Sequence, residues 1–546
     1  MAKKKLNGSS PKGAGQPGTM RMNFHGVMRG ADSAMESTMF EGRFGRMFRN
    51  LPAAHFFEED LEALGEAMTS APEKDEQGNL TATAETEPDG EENQGPGNVP
   101  AIAAGFTYLG QFIDHDLTFD PMSSLVKQND PDQLTDFRTP RFDLDSVYGR
   151  GPDAQPYLYE DDGRRLKLGR RLTGAESFDP NARDLPRHTS EKGGRARALI
   201  GDPRNDENVI VAQLHANVLR FHNFMTDFMG SDAAFEEVQR QVRWHYQWVV
   251  LHDFLPTIVG SEMVYSVLPH LRKRTSIHQD KPNLLFYRWR NEPFMPVEFS
   301  VAAYRFGHSM IRPVYRLNQT LLGGGPDKDP INGRQFIFTK LDSEQGLNGF
   351  REFPDNWAID WSLYFDMGNK PPKFGVKRVQ PAYKIDSSLV NPLGDLPASV
   401  ATQIGSLAKR NLKRSARMGL PSGQDVARLM GIKPIPDEKL RVGKAAEEDV
   451  ADNLPITEYG DSFMKRAPLW FYILAESQQA FKKDSTPILL GPVGSRIVAE
   501  VFIGLLLGDG HSFLRQDPGW TPEKSFLNKD GKFGMAELIK QARKAS

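Results

Sequence analysis

Residues 108–120 read YLGQFIDHDLTFD, a histidine set between two acids at the end of an apolar run. The run predicts a helix, and a helix turns by about 100° per residue. Gln111, Asp114 and His115 then share one face at i, i+3 and i+4, while Asp116 looks elsewhere. One helical turn thus carries a polar face suited to proton transfer and a second carboxylate aimed at a different partner.

Downstream, 138–149 reads RTPRFDLDSVYG, with Thr139, Arg141, Asp143 and Asp145 at alternate positions. Period-two oxygen donors on an extended or looping backbone fall on one side. A hydroxyl from Thr139, the main-chain carbonyl of Arg141 and two carboxylates suit Ca²⁺. The segment is not an EF-hand, since it lacks the glycine at loop position six and the glutamate at twelve. A solvated polar turn reads equally well from composition alone.

A second cluster, IGDPRNDEN at 200–208, places Arg204 and Glu207 at i, i+3, where both can meet one ligand. It also reads as a helix cap, with Asn205 or Asp206 capping and Glu207 favouring the helix dipole. A third, AAYRFGHSMIRPVYRLN at 302–318, carries His308 in an apolar helical run. Such a histidine is ordinarily a core residue unless a planar metal-bearing group needs an axial nitrogen. His215 and His222, and His245 and His252, are i, i+7 pairs on two predicted helices, but no Glu-x-x-His pattern accompanies them. No phosphate-binding loop and no Gly-x-Ser-x-Gly elbow is present.

The 546 residues include 68 Lys plus Arg and 71 Asp plus Glu, a net charge of −3. That balance gives no electrostatic reason to expect nucleic acid as a partner. With no cysteine, disulfides, thiolate nucleophiles, iron–sulfur clusters and thiolate-ligated haem are excluded. The basic start lacks an apolar stretch for a signal peptide, so the expected compartment is cytoplasmic, with leaderless secretion as the other route. The apolar window 487–507 contains Arg496 and Glu500, which predicts a buried helix and no integral membrane segment.

Residues 1–34 read as a disordered lead-in, 70–98 as an acidic solvated loop, and 516–546 as a looser C-terminal tail. Between them, 35–515 reads as one large, mainly α domain with few short strands and long loops. Helices are expected over 206–229, 235–258 (stopped near Pro256), 297–311, 398–416, 422–430, 460–482 and 493–507.

Taken together, these segments resemble the animal-type haem peroxidases, the peroxidase–cyclooxygenase superfamily, and a bacterial-type member in particular. GQFIDHDLTFD resembles the family's distal-histidine helix and TPRFDLDSVYG its calcium loop. GDPRNDEN, followed by HANVLRFHN, resembles the arginine segment, YRFGHSMI the proximal-histidine helix, and RNLKRSARMGLP the segment with the proximal asparagine. The order is the family's own. The likeness is strongest over 100–430.

The resemblance implies a peroxidase that reduces hydrogen peroxide through a ferryl intermediate and oxidises a small organic donor, a halide or a pseudohalide. It implies haem b and calcium as cofactors. His115, Arg204 and Gln111 are the implied catalytic residues. His308 is the implied axial iron ligand with Asn411 as its partner, and Arg305 a partner for a haem propionate. Asp114 and Glu207 match positions that form ester links to haem in this family. Asp116, Thr139, Arg141, Asp143 and Asp145 are the implied calcium ligands. Asn208 stands where a few mammalian members carry a methionine sulfonium link, so that link is impossible and chloride is a poor substrate. The fatty-acid dioxygenases place a radical tyrosine three residues before the proximal histidine. Here Arg305 holds that place and Tyr304 is one position away, which favours peroxidase. The alternatives are a fatty-acid dioxygenase, or a non-catalytic calcium-stabilised helical binding protein on the same scaffold. The sequence leaves the oligomeric state open.

Overall fold

The computed structural model describes residues 42–70, 91–95, 99–119, 135–136, 138–188, 196–322, 334–339, 346–368, 372, 375, 377–401, 404–446, 452–481 and 488–545. The lead-in 1–34 lies outside these residues, as does most of the acidic loop 70–98. The principal helices are α1 (Glu58–Ala67), α2 (Ala104–Leu117), α3 (Val209–Met229), α4 (Phe235–Val249), α5 (Leu407–Arg417), α6 (Gly423–Leu429), α7 (Leu469–Gln478), α8 (Pro492–Gly508) and α9 (Met535–Ala542). Strands are short. β1 (Gly42–Gly45) lies between β2 (Thr135–Asp136), antiparallel to it, and β3 (Met295–Pro296), parallel to it. The expected mainly α single domain is what the chain forms, around one contiguous apolar core.

α3 is the central element. The Asn208 side chain caps it, accepting from the N–H groups of Ile210 (3.1 Å) and Val211 (2.9 Å), and Gly230 ends it at φ +89°. Nearly every α3 residue up to Thr226 is buried, as expected of a helix enclosed on all sides. α2, α4 and α9 pack against it. The helix expected to stop near Pro256 continues to Val259. A π turn at Val250–Phe254 re-routes the backbone hydrogen bonds just before the proline, which has no N–H to contribute.

Three other expectations are corrected. The 297–311 segment is not one α-helix but a π turn, Glu298–Ala302, followed by a 3₁₀ turn, Ala303–His308, with Ala302 at φ −125°, ψ −73° between them. Within the acidic stretch, Glu92 is not solvated. It is buried against the guanidinium groups of Arg312 (2.9 Å) and Arg378, because three ionised groups balance one another there. The segment after 515 is not a loose tail. Phe526, Phe533, Leu538 and Ile539 are buried, and the Met535 N–H at the start of α9 donates to Asp253 Oδ2 (2.8 Å).

α1 was absent from the expected helices, and it positions the site. It runs antiparallel to α5, and their facing acids and bases form a seam. Glu58 pairs with Lys413 and Arg417 (2.7 Å each), and Glu66 with Lys409 (2.6 Å). α8, the most apolar window, is buried, and Glu500 within it accepts from the N–H groups of Leu285, Phe286 and Tyr287. Among the described residues no helix is long and apolar enough to cross a membrane.

Candidate active site

α2, the 3₁₀ turn Pro203–Asp206, the Ala303–His308 turn and α5 enclose a cavity of about 400 Å³. Gln111, Asp114, His115, Arg204, Glu207, Arg305, His308 and Asn411 all border it. Eight of the sequence-derived site residues therefore meet in one place, although they lie up to 300 positions apart in the chain.

The helical geometry of 108–120 separates the two acids as expected. Asp114 faces the cavity, where its Oδ2 accepts from Arg305 Nη1 (3.2 Å). Asp116 turns away, accepting from Leu144 N (3.2 Å) and Ser146 Oγ (3.1 Å). His115 sits between them, and its Nδ1 donates to Asn205 Oδ1 (2.9 Å), which leaves Nε2 without a proton. Burial, reinforced by the Arg204 cation, pushes its pKa down to about 4, so the ring is a neutral base at neutral pH.

Arg204 is tied back to Asp202, with Nη2 2.7 Å from Oδ2, and Nη2 also donates to the His115 carbonyl (3.0 Å). Its guanidinium lies 4.6 Å over the Phe119 ring. Arg138 Nη2 donates to the same Asp202 oxygen at 2.6 Å. Burial raises the Asp202 pKa, but the two arginines outweigh it and hold the carboxyl well below its ordinary range. Gln111 is engaged at both ends. Its Oε1 accepts from Asn208 Nδ2 (3.0 Å) and its Nε2 donates to Glu207 Oε2 (2.8 Å). Burial lifts Glu207 to about 7.

On the proximal side, His308 Nδ1 lies 2.8 Å from the Asn411 side-chain amide. An axial ligand bonds metal through one nitrogen, so Nδ1 must carry the proton and the amide must turn its oxygen to it. A 180° turn of the Asn411 amide accomplishes this in place. Burial and the nearby Arg305 push the His308 pKa down to about 3, which keeps Nε2 available as a ligand. The Trp470 indole N–H donates to the Arg305 carbonyl (3.2 Å) and anchors this turn from α7. Arg305 itself donates to Ser300 O (2.8 Å) as well as to Asp114. Arg410 and Arg414, which sequence reasoning passed over, also border the cavity. Their signal was their placement one residue before and three after Asn411. The residues fit haem: a partly open cavity, a neutral histidine with one free nitrogen, and arginines for carboxylate substituents.

Asp116, Asp143 and Asp145 bring carboxylate oxygens within 4.8 Å of one another. Thr139 joins them, its hydroxyl donating to Asp143 Oδ2 (2.7 Å). Arg141 bends into the same turn, its N–H donating to Thr139 O (2.7 Å). Asp145 Oδ1 is buried without a partner. Burial, then mutual repulsion, pushes Asp116 well up, and burial drives Asp145 up to about 7. A hard divalent cation is the partner this donor set fits. Leu144 adopts φ +58° to bring the carboxylates round. The i, i+7 histidines do not converge: His222 meets Tyr148, His245 the Gln241 carbonyl, and His252 stacks on Trp248. Asn205 and Asp206 do not cap α3. Asn208 does, and Asn205 serves His115 instead.

A mainly helical single domain of this architecture defines the peroxidase fold. A solved structure with a similar fold is peroxidase A from Dictyostelium discoideum, with a TM-score of 0.57 and 16% identity over 92% of this chain and 93% of that one. Residues 125–353 match the family described as animal haem peroxidase. The chain is 26% identical over 308 residues to chorion peroxidase from Drosophila melanogaster, covering 53% of this chain and 33% of the relative. It is 23% identical over 286 residues to human eosinophil peroxidase, covering 50% and 34%. The chain thus spans about a third of the length of these relatives. The resemblance in the sequence is borne out over that segment: residues 125–353 match the animal haem peroxidase family, and the fold is like that of a peroxidase.

Proposed function

We propose that the protein is a haem-dependent peroxidase that reduces hydrogen peroxide and oxidises a small organic donor. The observation that carries this reading is the convergence of His115 and His308 on one cavity bordered by Arg204. Haem, when bound, supplies the two-electron redox chemistry. His308 would hold the iron, and Asn411 would accept its Nδ1 proton weakly, so the ring would keep less imidazolate character than beside a carboxylate. His115 takes a proton from one peroxide oxygen and returns it to the other as water departs. Arg204, oriented by Asp202, stabilises the negative charge that develops on the departing oxygen. Arg305, Arg410 and Arg414 orient the haem carboxylates. Asp116, Asp143, Asp145, Thr139 and Arg141 hold calcium and fasten the far side of α2.

The donor follows from the cavity walls. The Gln111 amide is held at both ends, its oxygen accepting from Asn208 and one of its two N–H groups donating to Glu207. Phe106, Phe119, Phe338 and Phe350 supply apolar aromatic walls, which favours phenolic donors. Asp114 and Glu207 both border the cavity, which supports reading them as the residues that would form ester links to haem. A dioxygenase reading is disfavoured because Tyr304, one position off the radical site, donates its hydroxyl to Gly110 O (3.2 Å) and stacks on Phe299.

The test is spectral and kinetic. The haem-loaded protein should show a Soret band that is lost or strongly altered in His308→Ala. His115→Ala should retain haem and lose peroxide-dependent phenol oxidation by about a hundredfold or more. A protein that stays colourless with ample haem, or a His115→Ala variant with unchanged turnover, refutes the reading.

A further inference from the structure

Behind His115 lies a buried row of three side chains. His115 Nδ1 is 2.9 Å from Asn205 Oδ1, and Asn205 Nδ2 is 3.0 Å from His215 Nδ1. Asn205 comes from the Pro203–Asp206 turn and His215 from the second turn of α3. Both are 0% exposed, and neither borders the cavity. His215 Nε2 meets no polar partner, and its ring packs edge-on against Phe112 at 5.8 Å between centroids.

A side-chain amide has one accepting end and one donating end, so its orientation decides where each neighbouring ring keeps its proton. With Oδ1 toward His115, that ring donates from Nδ1 and presents a lone pair at Nε2. With Nδ2 toward His215, that ring accepts at Nδ1 and keeps its proton on Nε2. If the amide turned over, both rings would switch. His115 would then show an N–H to the cavity and could accept no proton from peroxide. Only a neutral His215 can accept at Nδ1, and burial, by pushing its pKa down to about 3, keeps it neutral.

We propose that Asn205 and His215 are positioning residues that lock His115 in its Nδ1–H tautomer, so that the nitrogen facing the cavity is always the base. The proposal deepens the peroxidase reading and rests on it. Asn205 acts on the ring directly, and His215 Nδ1 gives the amide's Nδ2 an acceptor in this orientation.

The test separates tautomer from turnover. Full-length wild type, Asn205→Leu, Asn205→Asp and His215→Phe are labelled with nitrogen-15 histidine. Two-bond nitrogen–proton correlations then read the tautomers without any reaction. Wild type should show Nδ1–H on His115 and Nε2–H on His215. Asn205→Leu should lose the His115 preference, and Asn205→Asp should keep it, because a carboxylate can only accept. In haem-loaded protein, the second-order rate of the Soret change on adding hydrogen peroxide should fall by about tenfold or more in Asn205→Leu and recover largely in Asn205→Asp. The KM for the organic donor should not move.

His215→Phe keeps the ring packing on Phe112 and leaves Asn205 unanchored. It should give a mixed His115 tautomer and a several-fold slower peroxide step, and it decides the matter if Asn205→Leu does not fold. An Nε2–H tautomer of His115 in wild type overturns the proposal, as does an unchanged rate in folded, haem-loaded Asn205→Leu and His215→Phe. A wild type with the stated tautomers but no reaction with peroxide instead refutes the peroxidase reading and leaves the positioning row standing.

Discussion

Asp202 and Arg204 are bound side chain to side chain at 2.7 Å, with Asp202 completely buried. The same carboxylate caps its own turn, Oδ1 accepting from the Arg204 N–H (2.9 Å), while Oδ2 also accepts from Arg138 (2.6 Å). Replacing it by asparagine removes the counter-charge of Arg204 and leaves Arg138 with its 3.5 Å contact to Asp145. Asp202→Asn should lose roughly 3 kcal/mol of stability in a denaturant titration, and peroxide reduction should slow because Arg204 is no longer held. An unchanged unfolding midpoint would show that the buried carboxylate is not what balances these arginines.

The proximal pair offers a graded test. Asn411→Asp puts a stronger acceptor beside His308 and should lower the reduction potential of bound haem, measured by spectroelectrochemistry. Asn411→Leu removes the acceptor and should weaken haem binding by about tenfold. If both variants match wild type in potential and haem affinity, the 2.8 Å contact has no bearing on the ligand.

Calcium should stabilise the protein through Asp116, Asp143 and Asp145. At a concentration about a hundred times its Kd, the linkage gain is about 2.7 kcal/mol, visible as a raised Tm. The rise should vanish in Asp143→Asn. Chelation should also slow peroxide turnover, because Asp116 is one residue from His115 and fixes the back of α2. A chelated protein with intact haem and full turnover would contradict that coupling.

The acid dependence of stability can be isolated at His245. Burial pushes its pKa down to about 4 from 6.5, against a smaller stabilising contact with the Gln241 carbonyl (2.7 Å). Between these values the unfolded chain binds a proton that the folded chain refuses. The folded state is therefore fully favoured above 6.5 and loses about 1.4 kcal/mol per pH unit as pH falls toward 4. Comparing wild type with His245→Phe cancels the opposing carboxylates. The variant should gain on wild type steadily over this range, and a difference that stays flat with pH would disprove the burial argument.

Much of the site was legible because helical phase is rigid: 100° per residue was enough to send Asp114 and Asp116 to different partners. The cavity's two histidines and Arg204 could be read because each sits in a recognisable stretch. Asn205 could not, since a residue that can cap a helix looks the same whether it caps or props a histidine. Asn208, three residues on, took the capping role and left Asn205 free for His115. The 298–308 turns were missed because an apolar run fits α, π and 3₁₀ geometry alike. In the C-terminal segment Phe526 and Phe533 pack as single anchors with no period, whereas Met535, Leu538, Ile539 and Ala542 of α9 recur at helical spacing over a stretch too short to stand out.

The seam between α1 and α5 has a reach beyond those two helices. α5 carries Asn411 on its inner side, and its outer side is held by pairs such as Glu58–Arg417 and Glu66–Lys409 that remain open to solvent. Mobile ions screen such pairs, while the contact between Asn411 and His308 lies too deep to be reached by them. Ionic strength therefore acts as a remote handle on the proximal histidine, loosening the frame around it while leaving the hydrogen bond itself untouched.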